Sequence, residues 1–154
     1  MKFDNQVKRV PIKLLWSIIV IASLFFPLFS FGQTAYAACS GSACDGTDPQ
    51  TTSCNVNAYA LEIVFVTGIT QTELRYSPTC NTTWSRVTNN TSNNNAAGAR
   101  VSRQNPYGYN VQNVSNLIPG GNWWTLQYWR QSGSQSQAAG YVINTNYTAI
   151  TGWW

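Results

Sequence analysis

The 154-residue sequence contains no histidine. That absence excludes a Ser-His-Asp triad, a Cys-His dyad and histidine-ligated zinc. Charge is scarce too: 9% of residues are charged, against about 25% in a typical soluble domain. The sequence pI of about 9.0 suggests nucleic acid, but the basic residues are unevenly placed. Lys2, Lys8, Arg9 and Lys13 crowd the start, and no lysine follows them. Beyond that start, Arg75, Arg86, Arg100, Arg103 and Arg130 face Asp45, Asp48, Glu62 and Glu73, a net charge of +1. No basic stripe remains, so a DNA or RNA partner is not expected. No sustained helical period occurs after the first segment, which argues against a helical domain.

What is present begins with a targeting pattern. The basic start leads into an uncharged apolar stretch, Leu14 to Phe31, and then to Ala35-Tyr36-Ala37. This is the three-part layout of a secretory signal, with cleavage expected after Ala37. The domain boundaries are therefore residues 1–37 for a helical signal segment and 38–154 for an exported domain. An uncleaved anchor is the rival reading, because about 18 apolar residues can span a bilayer. The chain would then meet a membrane only through that segment. Lipidation at Cys39, which follows two small residues, is a third reading. The exported part is expected to be extracellular or at the cell surface.

All four cysteines, Cys39, Cys44, Cys54 and Cys80, fall in the exported part. An even count in an oxidising compartment reads as two disulfides. A thiolate metal site lacks the paired Cys-x-x-Cys spacing of zinc ribbons. Four cysteines allow three connectivities. Consecutive hairpins would bring Cys54 within a few residues of Cys80, leaving Cys39 with Cys44.

The exported part reads as all-β, a small disulfide-stapled antiparallel sandwich or barrel. Strands are expected at Ala58–Val66, Thr70–Tyr76, Thr82–Thr88, Ala99–Arg103, Trp123–Arg130 and Gly140–Ala149. They are β-branched or aromatic runs bounded by Gly, Pro, Asn and Ser. The Asn-rich run Thr88–Gly98 reads as a mobile loop, and Asn113–Asn122 as a connection turning at Pro119-Gly120-Gly121. Pairing the first strands as hairpins sets Ile63 near Leu74, Glu62 near Arg75 and Glu73 near Trp84. Side chains alternate faces, so Leu61, Ile63, Phe65, Leu74, Tyr76 and Val87 would form the core face.

The opposite face would carry Glu62, Glu73, Arg75, Trp84 and Arg86. Read plainly, it is a solvated face with cross-strand ion pairs. Read functionally, Trp84 is a stacking platform and Arg75 or Arg86 grips an anion or sugar hydroxyls. A Glu62/Glu73 acid–base pair would need separated pKa values and a cleft; the adjacent arginines oppose a raised carboxyl. In Asn122–Arg130, the same alternation sets Trp124, Leu126 and Tyr128 on a core face. Trp123, Thr125, Gln127 and Trp129 then form a face with two indoles among amides and hydroxyls, suited to a carbohydrate. Asp45 and Asp48, three apart with a Gly between, could offer oxygen ligands to calcium. The run is too short for an EF-hand loop, and Asp-Gly and Asp-Pro are ordinary turn formers. Arg100–Arg103 offers a weaker anion site at a strand edge.

The pieces Cys44-Asp-Gly-Thr-Asp-Pro49, Cys54, Leu74-Arg-Tyr-Ser-Pro-Thr-Cys80 and Trp84-Ser-Arg86 form a joint pattern. It resembles a family of secreted Gram-positive bacterial proteins classed as a domain of unknown function, over roughly Cys39 to Arg103. The resemblance implies a small extracellular module, alone or joined to other domains. It carries over no catalytic residue and no cofactor.

The leading expectation is a non-catalytic module that binds a cell-envelope or extracellular glycan. A nearly uncharged exterior rich in Asn, Gln, Thr and Ser suits such a polymer. The alternatives are a small secreted hydrolase using a pair from Asp45, Asp48, Glu62 and Glu73, and a secreted antagonistic effector. No cofactor is expected.

Overall fold

The structure is a computed structural model that describes residues 37–66 and 70–154. The expected signal segment, apart from its last residue Ala37, lies outside them. Among the described residues, a short 3-10 turn at Gly41–Cys44 and a run of turns to Asn57 precede nine strands. They are β1 (Tyr59–Val66), β2 (Thr70–Ser77), β3 (Thr82–Asn89), β4 (Asn95–Gln104), β5 (Gly108–Leu117), β6 (Asn122–Trp124), β7 (Tyr128–Trp129), β8 (Gln135–Val142) and β9 (Thr148–Ile150). One sheet has the order β1-β2-β3-β6, with β7 also paired to β3; the other has the order β5-β4-β8-β9. Every pairing is antiparallel. The expected all-β, disulfide-stapled sandwich is the fold observed.

The two sheets approach closely because small residues line their interface. Val87 from the first sheet packs in one buried cluster with Ala97, Ala99 and Leu117 from the second, and Leu74, Val101 and Ala138 are fully buried as well. A Cβ added at Gly140 would stand 2.1 Å from Thr72 Oγ1 and 2.4 Å from Val87 Cγ1. Polar groups also reach the interface; Thr72 Oγ1, against Gly140, has no hydrogen-bond partner among the described residues, whereas two others cross it in pairs. Thr83 donates to Ser136 Oγ at 2.7 Å, and Ser85 donates to the Ala139 carbonyl at 3.3 Å. Buried hydroxyls are tolerated where such bonds replace water.

The turns explain much of the asparagine content. Asn57, Asn81, Asn105 and Asn144 take positive φ values of 53–64°, a region where Asn is several-fold enriched. Asn89 does a different job. It is fully buried and organises the turn to β4, donating to the carbonyls of Asn93 and Leu117 and accepting from Thr91 and Asn95.

Several expectations need correction. The loop expected at Thr88–Gly98 shrinks to the short turn built on Asn89, and β4 begins at Asn95. The first half of the connection expected at Asn113–Asn122 belongs to β5, which pairs with β4 from Gly108 to Leu117, while the turn at Pro119-Gly120-Gly121 stands where it was expected. Asn and Ser are poor strand formers, but the long ladder to β4 overrides that preference. The Trp123–Arg130 strand breaks into β6 and β7, and Gly140–Ala149 divides between β8 and β9.

The first hairpin is shifted by one residue. Ile63 pairs with Glu73 and Glu62 with Leu74, and a bulge falls between Ala60 and Glu62. A one-residue slip exchanges the two faces of a strand. Ile63 and Phe65 therefore point outward at 45% and 66% exposure, whereas Leu74 and Val87 stay in the core as expected. In the second hairpin Glu73 pairs with Arg86 and Arg75 with Trp84. That shift is even, so the faces of β2 and β3 are as expected.

While Ile63 and Phe65 on β1 are exposed, the outer face of the first sheet is largely covered at β2 and β3. The cysteine-braced segment 37–58 lies against it. Arg75 donates to the Ala58 carbonyl at 2.6 Å, and the Gly41 amide donates to the Cys80 carbonyl at 2.9 Å. Gln127 fastens the segment further. Its amide nitrogen donates to Thr47 and Thr52, and its carbonyl accepts from Thr82 on β3. Among the described residues no helix is long and apolar enough to cross a membrane.

Candidate functional site

The cysteines form two disulfides, Cys39–Cys44 and Cys54–Cys80. This is the pairing the hairpin argument favours. The four sulfurs lie within 4.8 Å of one another, and Cys44, Cys54 and Cys80 are fully buried. The Cys39 sulfur is committed to Cys44, which leaves no thiol there for a lipid.

The arginine and tryptophan platform expected on the outer face is a closed ion-pair network. Glu73, 2% exposed, accepts from Arg75 at 3.0 Å and from Arg86 at 2.6 and 2.8 Å. Gln71 adds a further bond at 3.0 Å. Both guanidinium groups already hold a carboxylate, so neither is open to an anion. Trp84 is 2% exposed and offers no ring face to a ligand. Glu62 and Glu73 lie on opposite faces of the sheet, because Glu62 stands opposite Leu74 and Glu73 opposite Ile63. The carboxyl pair considered for hydrolysis does not form. Glu62 instead accepts from the Gly152 amide at 2.8 Å and from Trp154 Nε1 at 2.6 Å.

The two aspartates also separate. Asp45 takes both oxygens to Arg103 Nη1 at 3.0 and 2.9 Å and accepts from the Trp129 amide. Arg103 is 4% exposed, donates to the carbonyls of Pro106 and Trp129, and lies 4.9 Å from the Tyr128 ring centre. This uses up one arginine of the Arg100–Arg103 pair. Asp48 caps its own turn by accepting from the Gln50 amide at 2.6 Å. With Asp45 neutralised by arginine, the two do not converge on a cation.

The expected indole face is divided as well. Trp123 stands opposite Val87 in register and packs on the core cluster of Val87, Ala97, Ala99 and Leu117. Thr125 and Gln127 are fully buried. Trp129 is half-buried, and its ring lies over Gly41. Trp124, assigned by alternation to the core, instead stands opposite Arg86 on the outer face. Its Nε1 reaches Asp48 at 3.3 and 3.4 Å.

These placements create a cleft that the sequence did not announce. Asp48, Gln112, Trp123, Trp124, Thr125 and Leu126 line a cavity of about 190 Å³. It sits at the free edge of β6, where the braced segment and β5 converge. The Trp123 and Trp124 ring centres are 6.0 Å apart with their planes tilted by 36°. Two indoles, one carboxylate, one primary amide and one hydroxyl residue thus share one concavity. Gln112 was missed because no strand was expected between Arg103 and Trp123, and Trp124 because alternation was carried through a break in the strand. The one signal available was the Trp-Trp dipeptide just after Gly120-Gly121. A shallower, open cavity of about 400 Å³ lies beside Asn93, Asn95, Thr145 and Tyr147.

Residues 42–121 match the family described as protein of unknown function (DUF2690). The match spans just over half of the 154 residues. The chain belongs to this family. The DUF2690 segment reaches further than the Cys39–Arg103 span of the motif pattern, taking in all of β5 and the turn at Pro119-Gly120-Gly121. It supplies Asp48 and Gln112 to the cleft, while Trp123 and Trp124 lie just past its end. No curated protein and no solved structure matches the chain.

Proposed function

We propose that this DUF2690 protein is a secreted, non-catalytic module that binds a cell-envelope or extracellular glycan in the Asp48/Gln112/Trp123/Trp124 cleft. The observation that carries this reading is the convergence of two indoles with a carboxylate and an amide in one cavity. Indole faces pack on the apolar C–H faces of a sugar ring, while carboxylate and amide groups bond its hydroxyls. The cavity, about 190 Å³, is smaller than the roughly 300–1,000 Å³ of pockets that enclose drug-sized ligands. It suits one ring of a polymer whose neighbouring units run over the surface.

Export is supported by the two disulfides, which persist in oxidising compartments. It is also supported by the basic, apolar and small-residue layout of residues 1–37. A two-carboxylate hydrolase is the less favoured reading. Asp45 is tied to Arg103, Glu73 to Arg75 and Arg86, and Glu62 to the C-terminal tail, leaving one carboxylate in the cleft.

The test is tryptophan fluorescence and calorimetry of the purified protein against a panel of cell-wall and extracellular glycans. A recognised glycan shifts the emission, and both Trp124→Ala and Gln112→Ala abolish the shift while the fold, checked by circular dichroism, is kept. Absence of binding across the panel, or binding indifferent to both substitutions, refutes the proposal.

A further inference from the structure

The charge of the cleft narrows the ligand. Asp48 is the one charged side chain among its lining residues. Three of the arginines that the sequence offered for gripping an anion are engaged elsewhere. Arg75 and Arg86 hold Glu73, and Arg103 holds Asp45. An anionic sugar entering the cleft would meet an uncompensated carboxylate at short range, which is repulsive. A cationic one would meet that carboxylate together with two indoles, and indoles bind cations through their negative ring faces.

The hydrogen bonding agrees with this. Asp48 Oδ1 is occupied by the Gln50 amide at 2.6 Å. Asp48 Oδ2 receives the long contact from Trp124 Nε1 at 3.4 Å and retains acceptor capacity. One donor could serve an acetyl carbonyl, the Gln112 amide, which makes a long 3.4 Å contact to Asn110 Oδ1; the indole N–H groups are not open to one. Trp123 Nε1 lacks a hydrogen-bond partner but is sealed from solvent, so a ligand does not reach it without repacking. The Trp124 Nε1 proton is already directed at Asp48.

We infer that the cleft selects an amino sugar bearing a free ammonium group over its N-acetylated or anionic counterparts, with Asp48 as the residue that sets the preference. This rests on the glycan-binding reading above and specifies its ligand class. The ammonium forms a charge-assisted bond to Asp48 Oδ2, while the sugar ring lies against the indoles. Acetylation removes the charge and adds bulk where the carboxylate stands. A carboxylate or phosphate on the ligand places like charges together.

The experiment compares tetramers of β-1,4-linked glucosamine and of N-acetylglucosamine, titrated into the purified protein by calorimetry at mildly acidic pH. The amine form is expected to bind roughly tenfold more tightly, with affinity that falls as salt is added. Asp48→Asn keeps an oxygen for the Gln50 amide but removes the charge, and is expected to bring the two tetramers to equal affinity. Should that variant fail to fold, the salt dependence in the unaltered protein decides instead. Equal affinity for both tetramers, or preference for the acetylated one, overturns the charge selection. If Trp124→Ala still abolishes binding in that case, the glycan cleft itself stands. Binding of neither tetramer also overturns the inference, and failure of the whole panel overturns both readings.

Discussion

Removing the Glu73 carboxylate should destabilise the fold far more than a typical surface ion-pair mutation. Glu73 is 2% exposed and is the shared partner of Arg75 and Arg86, whose side chains are 15% and 33% exposed. Exposed pairs contribute about 0–1 kcal/mol, whereas breaking a buried pair costs about 3–5 kcal/mol because a charge is left without compensation. Here the carboxylate is buried and both cations are partly wet, so the loss falls near the lower end. Glu73→Gln keeps the shape of the side chain and one acceptor oxygen, and should cost about 3 kcal/mol. In a domain of about this size each kcal/mol moves Tm by about 4 °C, so the melting point should drop by about 12 °C. Urea unfolding followed by far-UV circular dichroism measures the free energy directly. A loss under about 1 kcal/mol would mean that water screens the network, and that segment 37–58 does not cover the outer face as described.

Two further outcomes follow from the sheet interface and its rim. Gly140→Ala places a methyl group within 2.1 Å of Thr72 Oγ1 and 2.4 Å of Val87 Cγ1; the sheets must part, at a cost of about 1–3 kcal/mol in the same urea assay. Tyr141 has its pKa raised above 10.0, first by burial and then by Tyr109, against opposing effects of Arg100 and of the bond to Asn113. A phenol harder to ionise in the folded than in the unfolded chain contributes stability that is complete below pH 10 and is lost as pH rises through the folded pKa. Tyr141→Phe should therefore flatten the alkaline fall of Tm above pH 10, and an unchanged alkaline slope would exclude Tyr141 as its source.

The parts of this fold that could be read from the sequence are those where local chemistry and the long-range outcome agree. β1, β2 and β3 are runs of β-branched and aromatic residues ending in turn formers, and their expected bounds lie within a residue or so of those found. The disulfide pairing follows from hairpin geometry once those strands are placed. β5 was hidden because its sequence, Gly108–Leu117, is full of Asn and Ser, and only the partner strand β4 makes it extended. The outward turn of Ile63 and Phe65 was hidden for another reason. The register runs unbroken from Val66↔Thr70 to Glu62↔Leu74, so it is set at the hairpin end, one residue from the expected pairing, and one residue is enough to exchange the faces.

The candidate site was partly legible. The sequence offers indoles among amides and hydroxyls as a candidate recognition face, and two indoles, an amide and a threonine line the cleft, joined by a carboxylate that the sequence offers only for calcium or hydrolysis. The particular residues depended on two facts that alternation cannot supply. The first is that Thr125, Leu126 and Gln127 leave the strand between β6 and β7, so parity carried from Trp123 to Trp129 loses its meaning. The second is that segment 37–58 folds back over the outer face, burying Trp84 and Glu73 under a second layer and leaving Arg75 and Arg86 only partly wet.

That second layer also accounts for the place of the cleft. The interface between the sheets is built from alanine, glycine, threonine and serine, which bury little apolar area per residue. A fold of this kind needs bracing from another source, and each disulfide supplies about 2–4 kcal/mol. The bracing acts on one stretch of chain. Asp48 lies between Cys44 and Cys54, each bonded to a different partner, and Gln127 ties Thr47 and Thr52 on either side of it to β3 through Thr82. The carboxylate is thereby held against Trp124 by a loop fixed at both ends. A ligand group that meets it encounters a charge already positioned, so little side-chain ordering remains to be done on binding. The covalent staples that offset a thin core are thus the same elements that preorganise the one charged group of the cleft.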